Sequence, residues 1–376
     1  MASSPASAQR PSITLFLCGD VMSGRGVDQI LPHPGHPQLY EAYVRSALGY
    51  VELAEQAHGT IRRPVDFAYV WGNALEQLQR IRPDLRIINL ETAITQAADA
   101  WPDKGIHYRM HPANTPFLAA AGIHCCTLAN NHVLDWGYAG LAETLHSLHE
   151  AGIATAGAGR DAAEAAAPAI LDVPGKGRVL VFAWGTPDSG VPADWAAAEQ
   201  RPGVNLLPEL SRLSLEAIAR QVLALKRPGD TVVASLHWGG NWGYTVTPAQ
   251  RDFAHGLIDS AGVDLVHGHS SHHVKGIEVY RGRCILYGCG DFLNDYEGIG
   301  GHEQYRGDLA LMYFPILDDG RLVRLLLVPT AIHRLQVRPA SAGDVRWLLE
   351  TLNREGEKFG TRLRRGAAGS LLLRWD

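Results

Sequence analysis

Short apolar runs closed by polar residues recur along the first two thirds of the chain. Residues 13–18 (ITLFLC), 85–90 (LRIINL), 122–128 (GIHCCTL), 178–184 (RVLVFAW), 231–236 (TVVASL) and 263–266 (VDLV) read as buried strands. Apolar residues at helical spacing fill 44–57, 73–81, 140–152 and 250–261, and Gly152 is a natural stop for the third. After residue 276 the pattern changes. The runs 277–280, 284–287, 309–314 and 321–332 follow closely on one another, as antiparallel hairpins do. Residues 344–359 (DVRWLLETLNREGEKF) form one more amphipathic helix. Alternating strand and helix followed by a strand-rich stretch predicts an α/β protein with two packed sheets or one large mixed sheet. Residues 12–335 are expected to form one catalytic domain, 1–11 a disordered tail, and 336–376 a helical extension packed on the core. Residues 31–80 are a surface excursion between core elements, or a lid.

What closes the strands is chemically selective. Asp20 follows the first, Glu91 the second, Asn131 and His132 the third and His237 the fifth. Four histidines, His267, His269, His272 and His273, fall within eight residues after the sixth. Carboxylate, amide oxygen and imidazole together suit Mn, Fe, Zn or Mg, and the absence of thiolates disfavours a structural zinc site. The set is large enough for one or two divalent ions, and two-metal sites polarise a substrate and activate water near neutral pH.

Composition narrows the setting. With 46% hydrophobic and 19% charged residues the chain is that of a folded globular protein. A formal net charge of -5 and the lack of a long basic run leave no footprint for nucleic acid. No stretch is long and apolar enough to cross a bilayer, and the polar start lacks a signal-peptide pattern, so a cytoplasmic location is expected. Five cysteines without a CxxC pair argue against a disulfide framework. Arg25, Arg109 and Trp238 are candidate substrate contacts, with Lys104, Lys275, Arg306, Trp242 and Tyr244 as weaker ones. Asp291 and Asp295 read either as turn residues or as a base or supporting partner.

The ordered segments GDVMSGRG, NLETAIT, LANNHVLDWG, HWG and HGHSSHHVKGIEVY resemble the CapA-like capsule-synthesis (poly-γ-glutamate) family, within the calcineurin-like metallophosphoesterase superfamily. The resemblance spans about residues 13–335. It implies a four-layer αββα sandwich with divalent metals at the carboxyl ends of the strands. It makes Asp20, Glu91, Asn131 and His237 metal ligands, Glu91 the bridging carboxylate, and His269 and His272 the closing histidine pair with His267 as rival. His132 takes the place of the acid that assists the leaving group, and Asp135 can orient it. The chain departs from the superfamily's patterns at three places. Val21-Met22 follows Asp20 where DxH has its histidine, Gly240-Asn241 follows HWG, and GHSSHH replaces HPH. The implied activity is metal-dependent hydrolysis of a phosphoester or a peptide-like, possibly polyanionic substrate. The alternatives are metal-dependent epimerisation of a peptide residue, or a non-catalytic part in capsule polymer synthesis.

Overall fold

A computed structural model describes residues 11–375; the expected disorder of the N-terminal tail concerns residues outside them, apart from Pro11. The fold is α/β, built on two main sheets. The larger has eleven strands. Its path runs Asp291–Leu293, Asp20–Val21, Leu85–Leu90, Ile13–Phe16, Leu309–Asp318, Arg321–Ile332, Leu371–Trp375 and Thr361–Arg365. Cys125–Thr127 adds beside Leu85–Leu90 and carries Ala154–Ala156 beyond it. The smaller has six strands, in the order Ile277–Tyr280, Arg283–Leu286, Leu265–His269, Thr231–His237, Gly177–Gly185 and Ala169–Val173.

Strand parity in the smaller sheet decides what faces what. Along Thr231–His237, Val232, Ala234 and Leu236 pack with Ile218 and Val222 of the helix Arg212–Leu225 and with Phe253 and Leu257 of Pro248–Ala261. Val233 points the other way, into a core shared with Leu15, Ile87 and Leu311 of the larger sheet. Both faces are therefore apolar, which is why these strands read as continuous hydrophobic runs. At the carboxyl end the inward row turns polar, because Ser235 and His237 continue the parity of Val233. Leu265–His269 does the same with Leu265, His267 and His269. The strand at 263–266 was expected to stop before the histidines; it spans Leu265–His269 and takes in His267 and His269, with His272 and His273 beyond its end.

Helix ends follow their local chemistry. Pro248–Ala261 starts on a Thr247–Gln250 capping box and stops at Gly262 in the left-handed region, φ 67°. Ala342–Gly356 starts on a Ser341–Asp344 box. The segment beyond 335, expected to be a helical extension, has its α-helix only over Ala342–Gly356 and carries strands on either side of it. After that helix comes the hairpin Thr361–Arg365 and Leu371–Trp375, which extends the larger sheet and buries Leu363, Leu371 and Leu373. Among the described residues no helix is long and apolar enough to cross a membrane.

Candidate metal centre

Register brings distant side chains to one level. Asp20 pairs with Asn89 on one side and Asp291 on the other, and Asn89 pairs with Thr127. These side chains form a buried polar row. Asn89 Nδ2 donates to Asp20 Oδ1 at 2.6 Å, and Thr127 Oγ1 stands 3.3 Å from Asn89 Oδ1. Ser235 Oγ lies 3.2 Å from Thr127 Oγ1 and ties the row to the smaller sheet, whose His237 and His269 complete the cluster. Ser270 sits at φ 93°, a conformation L side chains rarely adopt, and aims its N–H at Asp20 Oδ2, 3.0 Å away. The carboxylate is thus held from two sides, one donor on each oxygen.

Two buried donor groups result, each with ligand atoms within 4.8 Å of one another: Asp20, His237 and His269, and Asp20, Glu91 and Asp291. Asp20 is common to both. His237 spans the centre: its Nδ1 is 2.8 Å from His269 Nδ1, while its Nε2 is 3.0 Å from Asn131 Oδ1 and 3.7 Å from Glu91 Oε1. Burial, then the Asp291 carboxylate, push Asp20 up to about 7. Burial, Asp20 and Asp291 raise Glu91 as well. Burial holds His237 and His269 low, so both imidazoles are neutral, as ligation requires. Three crowded carboxylates beside neutral imidazoles are a donor set that a divalent cation fits, since a cation relieves the repulsion and satisfies hard and borderline donors together.

His132 flanks this centre, with Nε2 3.9 Å from Glu91 Oε1 and Nδ1 2.7 Å from Asp135 Oδ2. Asp135 also accepts from the Tyr108 N–H at 2.6 Å and from the Lys104 ammonium. Its contact with His132 is the one expected. Lys104 had been a weaker candidate, and it lies in the centre's own pocket. That pocket is about 180 Å³ and is lined by Glu91, Lys104, Asn131, His132, His237 and His272 among others. It adjoins a cleft of about 890 Å³ that Tyr50, Trp242, Asn294 and Tyr296 help to line.

Several expected residues stand elsewhere. His267 Nε2 donates to the Cys18 carbonyl at 2.7 Å; the side chain bridges the two sheets and is in neither donor group. His272 lies beside Asp291, 3.1 Å from its Oδ1, at the edge of the centre. Trp238 has the parity opposite to His237. It packs into the core behind the smaller sheet, stacks on Tyr287 and donates to the Tyr287 carbonyl, so it walls no pocket. Arg109 is spent on the carbonyls of Ala97 and His36 and lies over Trp136. Arg25 does reach the cleft, but its guanidinium is taken up by Asp295 and Glu41.

Asp291 is the residue that sequence reasoning undervalued. The signal was a repeated tripeptide, Cys18-Gly19-Asp20 and Cys289-Gly290-Asp291. The two copies lie side by side, and the Asp20 N–H donates to the Gly290 carbonyl at 2.8 Å. A Cβ on Gly19 would sit 1.7 Å from that oxygen, so only glycine permits the approach. All five cysteines are buried and free.

The architecture and the centre define an α/β protein with a buried oxygen–nitrogen donor cluster at its strand ends. Residues 14–296 match the family model described as bacterial capsule synthesis protein PGA_cap. A probable polyglutamine synthesis accessory protein of Mycobacterium tuberculosis is 50% identical over 354 residues, 93% of each chain. The capsule biosynthesis protein CapA of Bacillus anthracis is 26% identical, over 89% of this chain and 71% of its own. The PGA biosynthesis protein CapA of Bacillus subtilis is also 26% identical, over 87% and 74%. The chain belongs to the bacterial capsule synthesis (PGA_cap) family.

Proposed function

We propose that this protein is a divalent-metal-dependent hydrolase acting on a phosphoester or peptide-like substrate. The observation that carries the reading is the pair of buried donor groups meeting at Asp20. Glu91 and His237, one from each group, line a pocket that shares Tyr108, His272 and Tyr296 with the larger cleft, a route by which a substrate would reach the donors. The two sheets, with helices behind the smaller one, support the four-layer arrangement of the metallophosphoesterases. Asp20, Glu91, Asp291, His237 and His269 would hold the ions, with Asn131 as a further oxygen donor. Bound there, one or two cations polarise a phosphoryl or acyl oxygen and activate water.

The chain's own residues do the rest. Asp135 fixes the imidazole of His132 through Nδ1, leaving Nε2 directed toward Glu91 and the pocket as the group that exchanges a proton with substrate. The Lys104 ammonium binds the other Asp135 oxygen and stands 3.2 Å from His132 Nδ1, closing the triangle of the three side chains. Ile106 and Tyr108 line the pocket beside the donors. A second reading is an accessory, non-catalytic part in polyglutamate synthesis, which the names of the relatives favour.

Purified protein loaded with Mn²⁺ should turn over a generic phosphodiester or a γ-glutamyl peptide, and Asp20→Ala or His237→Ala should abolish turnover. Full activity after chelation refutes the metal-dependent reading. Stoichiometric metal without turnover on either substrate favours the accessory role.

A further inference from the structure

Tyr108 and Tyr296 come from segments 188 positions apart, and their hydroxyl oxygens lie 2.6 Å from each other. Both side chains line the small pocket of the candidate centre and also the large cleft, so the pair stands where the two cavities join. Tyr108 is fixed: its ring stacks on His132 with centroids 3.8 Å apart, its N–H donates to Asp135, and its carbonyl accepts from Trp136 Nε1 at 3.2 Å. Tyr296 is set by its own N–H, which donates to Asn294 Oδ1 at 3.1 Å. The Arg25 guanidinium lies 4.7 Å from the Tyr108 ring centroid and 5.5 Å from that of Tyr296.

The count of hydrogens is the key. Two phenols carry two O–H groups, and one contact between them uses only one. Among the described residues neither oxygen has another hydrogen-bond partner. Tyr108 is 3% exposed, and Tyr296 is less buried. Either oxygen can donate in this contact; with Tyr108 the more buried of the two, the arrangement that offers an unspent hydrogen to a ligand in the cleft is Tyr108 donating to Tyr296. Burial raises both phenols above their ordinary value, so they remain donors at neutral pH. A phenol that already accepts a hydrogen bond is the stronger donor for it.

We propose that the Tyr108–Tyr296 pair is an oxyanion-binding element, in which Tyr296 gives its O–H to a phosphoryl or carboxylate oxygen of the ligand at the mouth of the metal pocket. The proposal rests on the metal-centre reading, because without a cation the carboxylates of Asp20, Glu91 and Asp291 would repel any anion placed there. It adds to that reading two residues from outside the donor cluster. Arg25 contributes through its charge and by holding the rings, with three of its five N–H groups given to Asp295 and Glu41.

The test is calorimetric binding of inorganic phosphate, and separately of acetate, to the full chain loaded with Mn²⁺. Metal content is measured first on every sample. Tyr296→Phe and Tyr108→Phe keep the rings and remove one hydroxyl each. Loss of a hydrogen bond to a charged oxygen should weaken binding by roughly 10-fold or more in Tyr296→Phe. Tyr108→Phe, which leaves the terminal donor in place, should weaken it less, with metal content and melting temperature unchanged in both. Tight phosphate with weak acetate assigns the element to phosphoryl groups, and the reverse to carboxylates. A protein that takes up no Mn²⁺ overturns the centre and this element with it. A metal-loaded protein that binds neither anion, or binds one equally well in both variants, overturns the tyrosine element alone.

Discussion

Replacing Asp20 by asparagine should make the metal-free protein more stable at alkaline pH while removing its capacity for metal. In the native state burial and the neighbouring Asp291 raise the Asp20 carboxyl to about 7, from an ordinary 3.8. Three units correspond to about 4 kcal/mol at most. The sign follows from proton counting. Because the native state holds its proton to higher pH than the unfolded chain, stability falls as pH rises from the unfolded value through about 7. Between about pH 5 and about pH 8 the wild type should lose roughly 2 to 3 kcal/mol that the variant keeps. Against this, an asparagine cannot accept from both Asn89 Nδ2 and the Ser270 N–H, which costs about 1 kcal/mol at every pH. The melting temperatures should therefore cross, with the variant slightly lower near about pH 4 and higher near about pH 8. For 376 residues the unfolding entropy is roughly 0.8 kcal/mol/K, so the excursion is about 2 to 4 °C. Excess Mn²⁺ should erase the advantage by stabilising only the wild type, by about 3 kcal/mol at a hundredfold excess over Kd. Differential scanning calorimetry of chelated and Mn²⁺-loaded samples across this range measures both effects. A variant that melts below the metal-free wild type at every pH refutes the account of crowded carboxylates.

Three further perturbations separate roles within the site. Gly19→Ala should leave little folded protein, or protein without the Asp20–Asp291 pairing, because its Cβ meets the Gly290 carbonyl oxygen at 1.7 Å; circular dichroism and metal content report it. Arg25→Met should cost about 3 to 5 kcal/mol in urea unfolding, since it strands Asp295 and Glu41 as buried unpaired carboxylates. His267→Gln should keep the full metal complement, whereas His269→Gln should lose most of it, and equal losses would contradict the placement of His267 on the Cys18 carbonyl.

How much of this was legible in the chain depends on parity and on partners. The strand-end residues Asp20, Glu91 and His237 were found because each directly follows or closes a buried apolar run. Parity, applied further, would have turned Trp238 away from its neighbour His237 and into the helix-facing core. It would also have put His267 and His269 on one face, but not said that only the second reaches past the end of the neighbouring strand. Asp291 was hidden because the tripeptide Cys-Gly-Asp after a hairpin reads as a turn; its meaning comes from lying beside the first copy in the larger sheet. Arg25 looked like an anion contact because Asp295, which takes up its charge, is 270 positions away. The helix Arg212–Leu225 has the amphipathic spacing that identified its neighbours, yet no such assignment was drawn from it. The closing hairpin 361–375 was masked by its charged outward positions, Arg362, Arg364 and Arg374, which suit an edge of the sheet as well as they suit a helix.

The convergence of Asp20, Glu91, Asp291, His237 and His269 on bound cations is tested most directly by an anomalous-difference map from crystals of the full chain grown with Mn²⁺. The account predicts one or two peaks in contact with Asp20, at roughly 2.0 to 2.3 Å from carboxylate oxygens and imidazole nitrogens. Peaks confined to other parts of the molecule, or none at full metal saturation, would contradict it.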